Sequence, residues 1–97
     1  MALALFAVSC SSGTVDVPVI SVIGVVVDVD GDLVDVVSFT IVDETGVRRV
    51  LVPAEGLTFD GSPLSHLSAH VVSGDPVHIE YEEGSDGVLI AVRAEDA

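Results

Sequence analysis

A chain of 97 residues with 49% apolar content has room for one hydrophobic core and no second domain. Sixteen acidic residues face three basic ones, Arg48, Arg49 and Arg93, for a net charge of −13, and Lys, Asn, Gln and Trp are absent. Abundant Val, Ile and Leu argue against disorder, which combines high charge with low hydrophobicity, and the acidic excess argues against binding nucleic acid or anionic lipid through clustered Lys and Arg.

The opening stretch, MALALFAVSCSSGTVD, holds an apolar run from Ala2 to Val8, a small residue, the only cysteine, Cys10, and a Ser/Ser/Gly/Thr segment. That order resembles a bacterial lipoprotein signal peptide, with Ala7, Val8 and Ser9 at the lipobox positions before Cys10. The resemblance implies lipidation at Cys10, a polar tether behind it, and an extracytoplasmic, membrane-anchored location. The run is too short to span a bilayer, which takes about 20 apolar residues. The alternative is a cytoplasmic protein in which Ala2 to Val8 is an N-terminal strand and Cys10 a buried thiol. A lone cysteine permits no internal disulfide, so it leaves the redox compartment open.

Beyond Val17 the hydrophobic period is two. The alternation predicts a long first strand from Val19 to Asp30, with Ile23, Val25, Val27 and Val29 on one face and Gly24, Val26, Asp28 and Asp30 on the other. A glycine inside such a strand marks a bulge or bend. The DGDL stretch, Asp30 to Leu33, predicts a tight turn with Asp30 and Gly31 as the hairpin pair. A second strand is expected from Val36 to Val42, with Val37, Phe39 and Ile41 inward and Ser38 and Thr40 outward. The DETG stretch turns the chain into a third strand, Val47 to Val52, whose pairing Pro53 ends. Alternation then stops. Ser62 before Pro63 predicts an N-cap followed by proline at the first helical position, and Gly74 predicts the stop of a helix from Pro63 to Ser73. Two last strands, Val77 to Glu82 and Val88 to Ala94, flank an EGSDG turn.

The order β-β-β-α-β-β is that of the OB-fold, so the expected class is all-β with one helix, a five-stranded OB-fold-like barrel. An SH3-like barrel or an open meander packed on the helix is the rival. The stretches GVVVDVDGD, VSFTIVDETG, HLSAHVVSGDPVHIEY and LIAVRAEDA resemble small exported bacterial OB-fold domains of unknown role, often lipoproteins. That resemblance implies fold and envelope location, and no catalytic activity. The expected division, as the two resemblances imply, is an export signal and tether over 1–18, a barrel over 19–94 and a tail over 95–97.

Few residues have the types that chemistry needs. On the expected helix His66 and His70 fall opposite Leu64, Leu67 and Val71, facing solvent, and their i, i+4 spacing makes them neighbours able to chelate a divalent metal. A tight zinc site needs a third protein ligand, and the Glu of an HExxH motif is missing. His78 alternates with Val77 and Ile79 and is expected to face outward. A solvated helix face is the expectation, and a metal site of His66, His70 and His78 the alternative. The acidic hairpin of Asp28, Asp30, Asp32 and Asp35 departs from the EF-hand pattern, because glycine and glutamate miss their positions. Its carboxylates are expected in water, with weak cation binding as the alternative. Glu80 and Glu82 share one strand face, with Tyr81 pointing away, as a solvated edge discouraging aggregation.

No GxSxG nucleophile context and no glycine-rich phosphate loop occurs, so the chain reads as a non-enzyme without a cofactor. OB barrels that bind oligonucleotides use a basic groove and stacking aromatics, whereas this chain has one Tyr, three Phe and no Trp. The expected function is an envelope-tethered, non-catalytic binding module for an unknown protein or a small cationic ligand of the envelope. It would touch the membrane only through its lipid anchor. The alternative is a divalent metal-binding protein using the His66/His70 helix face or the hairpin from Asp28 to Asp35.

Overall fold

Each strand with period-two alternation must bury one face, and these strands do so by closing on one another. The computed structural model describes residues 18–32 and 35–97. Cys10, with the rest of the expected export segment up to residue 17, lies outside the described residues. The strands are β1 (Ile20–Gly31), β2 (Val36–Asp43), β3 (Arg48–Pro53), β4 (Val77–Glu83) and β5 (Leu89–Asp96). Between β3 and β4 a 3₁₀ turn, Leu64–His66, leads into the helix α1, Leu67–Ser73. The sheet runs β1-β2-β3-β5-β4 and closes through the β4–β1 pair, with β3–β5 parallel and every other pair antiparallel. This is an all-β, OB-fold-like barrel with one short helix. Closure sets aside the open meander.

Phe39, Phe59, Ile41, Leu51, Leu67 and Ile79 are essentially inaccessible to solvent and form the centre of the core. Burying each side chain stabilises the fold by about 1.5–3 kcal/mol before the entropy of ordering it is counted. Phe59 belongs to no strand. It is held by a bridge to Ser62, with Phe59 N–H to Ser62 O and Ser62 N–H to Phe59 O both 2.8 Å, and by a bridge to Ala94.

Three β-bulges break the simple alternation, and each takes up a valine. Val26 pairs with Ile41 and Asp28 with Thr40, so Val27 is the extra residue on β1. Asp30 pairs with Ser38 and Gly31 with Val36, which makes Val37 the extra residue on β2. On β5 the pairs Glu80–Arg93 and Tyr81–Ala91 leave out Val92. Each bulge bends its strand and sharpens its twist, which a five-stranded closure requires. The expected faces shift accordingly. On β1, Gly24 and Val26 are buried, and past the bulge Val29, not Asp28, packs against the core. Val37, expected inward, is 60% exposed because the bulge turns it out. Thr40 points away from the core as expected, but at 8% exposure it is covered between its neighbours Asp28 and Val50.

Other expected boundaries also move. β1 continues through Gly31, and the hairpin closes at Asp32 N–H to Asp35 O, 2.9 Å, so Asp30 and Gly31 are not its central pair. Pro53 does not end the pairing of β3. It stands opposite Ala91, and the next residue, Ala54, donates its N–H to Ala91 O at 2.8 Å. Ser62 gives no side-chain cap, since its backbone is engaged with Phe59, and the helix therefore opens through the 3₁₀ turn. Gly74 stops the helix as expected, in the left-handed conformation with φ 75°. The expected tail is part of the sheet: Glu95 pairs with His78 and Asp96 with Val77.

Gly24 is where β1 passes from its β4 partner to its β2 partner. A Cβ there would lie 2.6 Å from the Val42 carbonyl oxygen, a backbone atom that cannot swing aside. Gly24→Ala should therefore cost about 3 kcal/mol, at the upper end of overpacking penalties. Gly46→Ala, where nothing lies within 4 Å of the added carbon, should cost about 1 kcal/mol from its positive φ alone. Urea midpoints with unchanged m-values measure both, and equal losses would refute the close-approach explanation.

Candidate functional site

The acidic turn after β2 is densely hydrogen-bonded. Asp43 ends β2, and its Oδ1 accepts from Thr45 N–H at 2.9 Å, the Thr45 hydroxyl at 2.6 Å and Val47 N–H at 3.0 Å. Its Oδ2 accepts from Arg49 Nη1 at 2.6 Å. The Thr45 hydroxyl, then Arg49 and the Val47 N–H, hold the Asp43 carboxyl well below the usual carboxylate range, and Asp43 in turn raises the Arg49 guanidinium. Arg49 occupies an inward register position next to Ile41, and its Nε donates to Tyr81 Oη at 3.2 Å. Tyr81 is buried, as its alternation with Glu80 and Glu82 predicts, and its hydroxyl is met by the half-buried Arg49 side chain. Beside this network lies a groove of about 440 Å³ lined by Ile20, Ser21, Ile23, Asp43, Thr45 and Arg49.

The His66 and His70 rings are neighbours, 5.3 Å apart and edge-to-face, as their spacing predicts, while His78 lies on β4. His66 is exposed, but His70 is 5% exposed, against the expectation that both face solvent. The short helix packs through Leu67 and His70, and Val71, expected on the apolar stripe, is 38% exposed. The reason is Phe59 beneath the helix, on which the His70 ring stacks at 4.9 Å with the planes 26° apart. His70 Nδ1 donates to the Asp75 carbonyl at 3.1 Å, and Nε2 lies 3.3 Å from Asp96 Oδ1. His78 sits on the outer face of β4, where its ring meets Ser21 and Glu95. Among the described residues no three His, Cys, Asp or Glu side chains gather as a metal-binding group. Asp28, Asp30 and Asp35 of the acidic hairpin are exposed, and Asp32 Oδ1 accepts from Asp35 N–H at 2.7 Å.

The outer faces of β1, β4 and β5 bring together residues that no local motif connects. Ile23 stands opposite His78 and Ser21 opposite Glu80, so Ser21 and His78 are diagonal neighbours. The Ser21 hydroxyl hydrogen-bonds to His78 Nε2. His78 Nδ1 donates to Glu95 Oε2 at 3.0 Å, and Glu95 Oε1 accepts from Arg93 Nη2 at 3.1 Å. The His78 contact, and after it Arg93, lowers the Glu95 carboxyl below its ordinary value. No local motif signals Ser21 and Glu95, because they lie 57 and 17 positions from His78 and only sheet register joins them.

A different sector of the barrel carries exposed valines. Val27, Val37, Val50 and Val52 on β1, β2 and β3 are 39–60% exposed. Asp28 and Asp30 lie beside them, opposite Thr40 and Ser38 in the register. Comparison with protein families, with curated proteins and with solved structures finds no match to this chain.

Asp43 makes the barrel end sensitive to acid. A carboxyl with a lowered folded pKa adds stability that is fully present above its unfolded value, about 4, and is lost as pH falls through the folded value. Asp43→Asn should therefore melt below the wild type at pH 7, and the gap should narrow progressively as pH drops below 4. Thermal melts of both proteins between pH 7 and pH 2 check this, and a pH-independent gap would refute the carboxylate's role.

Proposed function

We propose that this protein is a small binding module, held outside the cytoplasm by a lipid on Cys10, that engages a basic, partly apolar protein surface through its β1–β2–β3 face. The observation that carries the reading is the set of exposed valines, Val27, Val37, Val50 and Val52, on the neighbouring strands β1, β2 and β3, with Asp28 and Asp30 beside them. Contiguous apolar patches rimmed by polar groups mark interaction surfaces, whereas single exposed valines do not. The same face, strands 2 and 3 of the barrel, is where OB folds take their ligands, a fold-level analogy in its favour. A net charge of −13 selects a cationic partner and opposes self-association through that face. The reading requires no catalytic step.

Nucleic acid is a poor fit to this surface. Arg49 is tied to Asp43 and Arg93 to Glu95, so two of the three arginines are already neutralised. The location rests on the lipobox-like order around Cys10, and no helix among the described residues is long and apolar enough to cross a membrane.

Three measurements test the reading together. Cys10→Ala should move the protein from the membrane to the soluble fraction with an unchanged melting temperature, and wild-type protein already in the soluble fraction would refute the anchor. A photo-crosslinker at position 50 should capture one basic protein, with capture weakened by salt and by Val52→Glu, while the same crosslinker at the exposed helix position 72 should not. Crosslinks only to a second copy, to lipid, or to no defined species would overturn the docking face. Single-stranded DNA and RNA should show no binding at physiological salt, and micromolar affinity with a steep salt slope would contradict the charge argument.

A further inference from the structure

We propose that Ser21, His78 and Glu95 form a nucleophilic site for acyl transfer on the β1–β4–β5 face, acting on small activated esters without negative charge. This goes beyond the binding reading and does not depend on it.

The polarity of the contacts carries the inference. With Nδ1–H directed at Glu95 Oε2, 3.0 Å away, His78 is held in the tautomer whose Nε2 lone pair is free to accept. The group that fills that lone pair is the Ser21 hydroxyl. Hydroxyl to Nε2 and Nδ1–H to carboxylate is the order of a nucleophile, a general base and a group that orients the base, and it is recognised by geometry on unrelated folds. Arg93 on Glu95 Oε1 fixes the carboxylate in turn. His78 and Glu95 have side chains 23% and 28% exposed, so the pair is fixed by its surroundings yet reachable from solvent.

A substrate has somewhere to lie. Ser21 lines the groove of about 440 Å³ with Ile20, Ile23, Thr45 and Arg49, within the size range of small-ligand sites. β1 pairs with β2 only from Gly24 onward, so among the described residues no strand covers the other edge of Ile20–Ile23. Backbone N–H groups alternate in direction along a strand. Either the Ser21 or the Val22 N–H therefore faces that uncovered edge, and both positions, the nucleophile and the residue after it, serve as oxyanion donors in serine hydrolases. Ile20 and Ile23 suit a short apolar acyl group, and Asp43, Glu44 and the overall charge disfavour an anionic one.

The steps balance without a co-reactant other than water. Ser21 Oγ attacks the ester carbonyl carbon while its proton passes to His78 Nε2, and the carbonyl π pair moves onto oxygen. That pair returns as the C–O bond to the leaving group breaks, and the alcohol departs with the proton from His78. Water, deprotonated by His78, then attacks the acyl-serine, releasing the carboxylic acid and restoring the Ser21 hydroxyl. Ser21 and His78 are the catalytic residues and Glu95 is a positioning residue.

The test uses the full chain with p-nitrophenyl acetate as substrate and an alkyl fluorophosphonate as trap. Wild-type protein should release nitrophenolate, and intact mass with peptide mapping should place the phosphonyl group on Ser21, with no such label on the protein unfolded in urea. Ser21→Ala should abolish the label, and both it and His78→Gln should slow turnover about 100-fold, the lower range for loss of general-base assistance. Glu95→Gln should lower kcat with little change in KM, and Glu95→Asp should restore part of it. Absence of the label on folded Ser21, a label equally present after unfolding, turnover that survives Ser21→Ala, or turnover that follows the exposed His66 instead would each overturn the proposal. Loss of partner crosslinking at position 50 bears on the other face and leaves this result untouched.

Discussion

Closure of five strands around one small core is the constraint from which the other features follow. A ring this narrow brings backbones close, and at Gly24 the approach to the Val42 carbonyl leaves no space for a side chain. It also demands strong local bends, supplied by the bulges at Val27, Val37 and Val92. Each bulge shifts the inward phase by one residue and turns a valine out of the core. The exposed valine face is thus partly a product of closure: two of its four members, Val27 and Val37, are bulge residues. Val50 and Val52 are not, because they occupy ordinary outward positions on β3, where a charged residue would have met the demand of solubility equally well. Those two exposed positions are the part of the face that closure does not account for.

Charge is organised by the same geometry. Arg49 stands at an inward register position where a fully apolar side chain would leave the Tyr81 hydroxyl and the Asp43 carboxylate without a cation. Its long stem can lie along the barrel end while its planar head bridges the two groups, a task for which the guanidinium fork suits better than an ammonium. Arg93 is likewise engaged, with Glu95. What remains outward is almost wholly acidic. The ionic contacts that shape the barrel and the anionic field that selects its partners therefore come from one distribution of residues.

Much of this fold was legible in the residues because turn chemistry and periodicity are local signals. The β-β-β-α-β-β order, the single helix ending at Gly74, and the inward Phe39, Ile41 and Tyr81 all follow from alternation and from Gly and Pro positions. The bulges were not legible. Three consecutive valines such as Val25, Val26 and Val27 offer no local sign of which one the ladder will omit, because all three suit a strand equally. His70 departs from its expected side for a related reason: helical phase counted from Leu64 puts it outward, but the first turn is 3₁₀, and the decisive contact, Phe59, comes from outside the helix. The contacts of Ser21 and Glu95 with His78 depend on register across three strands, which a one-residue slip would erase.

β1 is the element that joins the two proposed surfaces. Through Ile20 to Gly24 it pairs with β4, and through Gly24 to Gly31 with β2, so one strand serves both sides of the ring. In its first half the outward positions are Ser21 and Ile23, which face the histidine on β4. In its second half Val27 and the neighbouring aspartates face the valine sector. Gly24 at the handover and the bulge at Val27 rotate the strand between these environments. A strand without them would continue one alternation along its whole length and present a single kind of face. The bend that closes the barrel is also what allows a chain of this size to carry a polar, hydrogen-bonded triad on one sector and an apolar patch on another.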